Sequence, residues 1–122
     1  METILLIESE PADLVIQALI LHCLGYNVLE TANPSEALLA CDGYPGPIHL
    51  VLARDAPDRN PFTEVVTRLK RRCPAVSTLL ISDLPGERLP AEGAFLKKPF
   101  RAETLSGVIR ELLARQRLMP AA

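Results

Sequence analysis

Apolar residues fall in two rhythms along this chain. The first is a set of short, mostly apolar runs: Ile4-Leu5-Leu6-Ile7, Ile48-His49-Leu50-Val51-Leu52-Ala53, Leu79-Leu80-Ile81 and Ala94-Phe95-Leu96-Lys97. Runs of this length, separated by longer helical patterns, predict parallel strands buried on both faces. The segment from Tyr26 to Thr31 adds a second strand in chain order, and the fourth begins near Val76.

The second rhythm is helical. A first helix is expected to start at Pro11, which suits the first helical position, and to stop before Gly25, a natural C-terminal cap. Asn33-Pro34-Ser35-Glu36 sets a capping side chain, a proline and a glutamate in register, so a second helix should cover about Pro34 to Cys41. Gly43, Pro45, Gly46 and Pro47 then make a loop. Phe62, Val65, Val66 and Leu69 mark one face of a third helix, ended by Pro74, and Leu105, Val108, Ile109 and Leu112 mark the face of the last. Between Asp83 and Gly93, prolines and a glycine leave room only for a short or missing fourth helix. Five strands alternating with helices imply one α/β domain, a doubly wound parallel sheet of order 2-1-3-4-5. It should span residues 1–117, with 118–122 a flexible tail. In such sheets chemistry collects at the C-terminal ends of the strands, where the order reverses.

Those strand ends carry a recognisable set of residues. Glu8-Ser9-Glu10 follows the first strand, Arg54 the third, Ser82 closes the fourth, and Lys98-Pro99-Phe100 follows the fifth. Taken in that order they resemble the response-regulator receiver domains of bacterial two-component signalling, over nearly the whole chain from Ile4 to about Arg115. The resemblance implies a flavodoxin-like receiver fold of the CheY-like superfamily. It also implies a phospho-accepting aspartate at the slot held by Arg54, two acids where Glu8 and Ser9 stand, and a lysine at Lys98 aimed at the phosphoryl group by a cis peptide to Pro99. Ser82 and Phe95 match the hydroxyl and aromatic that rearrange on phosphorylation; without an acceptor they are read as inherited scaffold.

Arg54 changes what the pocket can do. Phosphoryl acceptance needs an ionised carboxylate nucleophile, and Mg²⁺ needs oxygen ligands. Arginine offers neither, and Ser9 gives a neutral hydroxyl in place of a carboxylate. The expectation is a degenerate acceptor site, a pseudo-receiver with no cofactor, no metal and no enzymatic activity. Two fates are open to Arg54: pairing with Glu8, and with Glu10, in place of the metal, or extension into solvent. The alternative function is a working receiver that uses Asp55, or another nearby acid, with Mg²⁺. Strand alternation turns Asp55 away from the pocket unless a bulge shifts the register.

The first helix is apolar on more than one face. Leu14, Val15, Ala18 and Leu19 are assigned to an interface, with Ile16, Ile20, Leu21 and Leu24 in the core. In the family this helix helps dock histidine kinases or phosphotransfer proteins, so the implied partner is one of these or a second copy of the chain. The competing orientation makes Glu10, Asp13 and Gln17 the solvent stripe.

Composition narrows the classes. With 122 residues, 13 basic against 15 acidic side chains and a net charge of -2, nothing points to nucleic acid. The one basic cluster, Arg68, Lys70, Arg71 and Arg72, suits a helix C-terminus. No apolar stretch approaches the ~18 residues that cross a bilayer, and no basic segment leads an apolar one at the N-terminus. No membrane association and a cytoplasmic location are expected, with Cys23, Cys41 and Cys73 as ordinary thiols. A DNA-binding output is not expected, and the domain suits either a free-standing protein or part of a hybrid kinase. The turn Glu8-Ser9-Glu10-Pro11-Ala12-Asp13 lacks glycine and is acidic, which argues against a flavin phosphate cradle. His22 and His49 are read as structural.

Overall fold

The computed structural model describes residues 1–54, 60–82, 94–98 and 100–118, with the side chains of 60, 61, 82, 95 and 97 outside the description. The elements alternate: β1 (Thr3–Ile7), α1 (Pro11–Cys23), β2 (Asn27–Thr31), α2 (Pro34–Gly43), β3 (Leu50–Arg54), α3 (Asn60–Arg72), β4 (Ser77–Ser82), β5 (Ala94–Lys97) and α4 (Ala102–Leu118). All strand pairs are parallel, in the order β2-β1-β3-β4-β5. The chain therefore reverses direction across the sheet between β1 and β3, and the crevice at their C-terminal ends is the place where such a fold exposes functional groups.

Strand alternation divides the core into two layers. On one face Ile4 and Leu6 of β1, Leu50 and Leu52 of β3, and Leu79 and Ile81 of β4 pack with Ala18 and Leu21 of α1 and Leu105, Ile109 and Leu113 of α4. On the other, Leu5, Ile7, Val51, Ala53 and Leu80 pack with Ala37 and Cys41 of α2 and Val65 and Leu69 of α3. A period of two in each strand explains why neighbouring residues join different layers. Because both faces are covered, the central strands β1 and β3 read as nearly continuous apolar runs.

Local chemistry sets the boundaries. Asn33 Oδ1 accepts from the Glu36 backbone N–H at 2.9 Å, and Glu36 Oε1 accepts from the Ala32 N–H at 2.9 Å. The first satisfies a donor that a helix start leaves unpaired, and the second ties the residue before the N-cap to the first turn. Gly25 has φ of 91°, a left-handed conformation that closes α1 and that a side chain would strain. Near the N-terminal edge of the sheet, the Gln116 amide of α4 donates to the carbonyls of His49 and Ala75. This ties the end of α4 to the strands.

The structure corrects several sequence expectations. Helix α2 runs on to Gly43, past the expected end near Cys41, and Leu118 closes α4 rather than opening a tail. The expectations of a short or missing helix between Asp83 and Gly93, of an acceptor role for Asp55 and of a cis peptide at Pro99 lie outside the described residues. Ser82 and Phe95 are placed only as backbone, within β4 and β5.

Helix α1 settles in an orientation that neither reading anticipated. Ala18, expected at an interface, is buried, and Leu14, expected there too, packs against the core. Ile16, assigned to the core, is 56% exposed, beside Val15 at 65% and Leu19 at 61%; Leu24, also assigned to the core, is partly exposed. The opposite idea fails too, since Gln17 is buried and cannot belong to a solvent stripe.

Candidate functional site

Parity brings the first two site residues together. Glu8 follows Ile4 and Leu6, and Arg54 follows Leu50 and Leu52, on the face covered by α1. The ladder pairs Leu6 with Leu52 and Ile7 with Ala53, so one more step sets Glu8 beside Arg54. Nη1 of Arg54 lies 3.4 Å from Oε2 of Glu8. The Glu8 side chain is 1% exposed and that of Arg54 28%.

A buried carboxylate needs several donors. Glu8 Oε2 also accepts from the Glu10 backbone N–H at 3.0 Å, and Oε1 accepts from the Gln17 amide at 3.2 Å. The bond from Glu10 folds the β1–α1 turn over the carboxylate, and the bond from Gln17 fixes the rotation of α1. Among the described residues, every buried side-chain nitrogen or oxygen has a partner.

Asp13 completes the cluster. One turn before Gln17 on α1, its Oδ2 is 2.9 Å from Nζ of Lys98 and 3.6 Å from Nη2 of Arg54. Among the described residues, two carboxylates and two cations thus share one crevice. The place foreseen for Glu10 as a partner of Arg54 is taken by Asp13, while Glu10 contributes its backbone. Ser9 is exposed. Sequence reasoning missed both Asp13 and Gln17 as site residues, although their i, i+4 spacing on the helix that leaves Glu8 was a usable signal.

The hydrogen bond from Lys98 holds the Asp13 carboxyl below its usual range; partial burial opposes this, and the charges of Lys98 and Arg54 add to it. A carboxylate with a depressed folded pKa contributes stability that is full above its unfolded pKa and is lost as pH falls through the folded value. Thermal stability is therefore expected to fall more steeply in wild type than in Asp13→Asn as pH drops below the ordinary aspartate pKa. Melting curves across that acid range check it, and parallel declines would contradict it.

No family model matches the chain. It is 28% identical over 120 residues to the sensor kinase CckA of Brucella abortus, covering 93% of this chain and 13% of that much longer protein. Among solved structures, the receiver domain of the hybrid histidine kinase CckA matches with a TM-score of 0.75 and 25% identity, covering 91% of this chain and 98% of that one. A receiver domain protein from Clostridium thermocellum matches with a TM-score of 0.80 and 20% identity, covering 97% and 98%. The chain has the fold of a response-regulator receiver domain.

Within the receiver fold, the crevice at the ends of β1 and β3 is the site that the resemblance assigns to the acceptor and Mg²⁺. The described donors do not fit that metal. Glu8 is occupied by Arg54, Gln17 and the Glu10 N–H, and Asp13 by Lys98 and Arg54. Among the described residues no group of three His, Cys, Asp or Glu side chains is gathered to hold an ion. A hard cation would have to displace two fixed positive charges from the same oxygens. What the arrangement can do is hold the β1–α1 turn, α1, β3 and the segment after β5 in one relation through charge-assisted hydrogen bonds.

Proposed function

We propose that this chain is a receiver-fold signalling module of the two-component type that takes no phosphoryl group at the strand-end slot and acts by contact with other proteins. The observation that carries the reading is Arg54, whose guanidinium ends β3 within 3.4 Å of the buried Glu8 carboxylate. A guanidinium has no lone pair to attack phosphorus, and its charge stands where a metal would be needed. Lys98, which the resemblance directs at a phosphoryl group, is instead paired with Asp13. The module would serve as a binding partner rather than a catalyst, in the cytoplasm, with a histidine kinase, a phosphotransfer protein or its own copy as the contact. The resemblance to CckA supports a kinase-linked phosphorelay as the setting. Among the described residues no helix is long and apolar enough to cross a membrane.

Incubation with a small phosphodonor and Mg²⁺, followed by intact mass spectrometry, tests the reading. The mass is expected to stay unchanged. A gain of one base-labile phosphoryl group, mapped to Asp55 or another acid, would replace it with the working-receiver alternative.

A further inference from the structure

The outer face of α1 meets α4 along an open apolar groove of about 580 Å³. Leu19, Cys23 and Leu24 form its α1 wall, and Ser106 and Gly107 line its α4 wall between Glu103 and Arg110. Beside it stand the exposed Val15 and Ile16. A contiguous apolar surface of this kind, edged by charge, marks a protein contact.

We propose that this face binds a second copy of the chain, with the two α4 helices antiparallel about a two-fold axis beside Ser106 and Gly107. The charges on α4 carry the choice of occupant. Glu103 and Arg110 are seven residues apart, two helical turns or about 10.5 Å, and lie on one stripe with opposite signs. A two-fold contact is self-complementary, setting residue i against j and j against i. An antiparallel pairing centred between Ser106 and Gly107 sets Glu103 against Arg110 twice, once from each copy, with the two smallest residues of the stripe at the crossing. A Cβ built on Gly107 meets nothing within 4 Å, so the crossing point is open to an approaching helix. Arg110 already leans along α4 toward that centre, donating to Ser106 Oγ at 3.3 Å. Each α4 then enters the groove of the other copy and takes Leu19 and Leu24 out of water. The result is a four-helix contact made of α1 and α4 from both copies.

This inference deepens the proposed protein-contact role and rests on that reading for its purpose, but not for its test. Sedimentation equilibrium of the full chain is expected to show a dimer. Glu103→Arg and Arg110→Glu, each placing like charges opposite each other twice, should each weaken it at least about tenfold. The double exchange should restore the affinity to within about threefold of wild type. Both side chains are exposed, and circular dichroism of each variant confirms the fold. A wild-type chain that stays monomeric at about 1 mM overturns the proposal. So do single variants that associate as tightly as wild type, or a double variant no tighter than the singles. Phosphorylation in the mass assay with an intact dimer would remove the pseudo-receiver reading alone; an unphosphorylated monomer would remove the dimer alone.

Discussion

Replacing Arg54 with alanine is expected to lower the folding free energy by about 2 kcal/mol. The variant leaves Glu8, 1% exposed, with the Glu10 N–H and the Gln17 amide but no cation within reach on β3. Breaking a fully buried pair from one side costs about 3–5 kcal/mol. Here the guanidinium is 28% exposed and 3.4 Å from its partner, so solvent screens part of the attraction and the smaller figure applies. Asp13 keeps Lys98 and adds little to the loss. Urea unfolding measures the effect, and a second background isolates its cause. In Glu8→Gln, which removes the buried charge and keeps the shape, Arg54→Ala should cost less than about 0.5 kcal/mol. An equal cost in both backgrounds would mean that Arg54 stabilises by packing its stem, and no cost in either would place it in solvent.

Leu21→Ala is expected to destabilise by about 3 kcal/mol, whereas Leu19→Ala, measured at dilutions where copies do not associate, should stay within about 0.5 kcal/mol. Leu21 is 0% exposed in the layer formed with α4 and the sheet, and its truncation leaves a cavity among Leu, Ile and Ala side chains. Leu19, two residues earlier, is 61% exposed. The contrast fixes the rotation of α1 because the two side chains lie on opposing arcs of the helix. Equal losses, or the reverse order, would mean that α1 docks by another face.

The central strands β1 and β3 were legible because burial on both sides leaves them almost wholly apolar, and parity then sorted their residues into two layers; the edge strand β2, with Asn27 and Glu30, carries a weaker signal. The start of α2 was legible because Asn33, Pro34 and Glu36 each meet a separate physical need at a helix start. The pocket was partly legible. Glu8, Arg54 and Lys98 follow from strand ends, and they do converge: Arg54 pairs with Glu8 as expected, while Asp13, rather than Glu10, is its second acid and is shared with Lys98. Asp13 and Gln17 were lost because α1 carries apolar residues around most of its circumference. With Leu14, Val15, Ile16, Ala18, Leu19, Ile20 and Leu21 all apolar, burial energy alone gives the helix no phase. The phase follows the polar requirement instead: a buried carboxylate at the end of β1 needs donors, and rotating Gln17 toward it swings Ile16 outward and Ala18 inward. The hydrogen bonds that Glu8 requires, rather than the count of apolar faces, thus set the orientation of α1.

Arg54 and Lys98 are covalent parts of the chain, so the positive charge beside Glu8 and Asp13 arrives with the polypeptide, at one stoichiometry and at a fixed effective concentration. A counter-ion drawn from solution has an occupancy that rises and falls with supply, and a centre that depends on it can report that supply. Here the balancing charge is set when the chain is made. No chelator can strip it away, and no shift in divalent-ion level can dilute it.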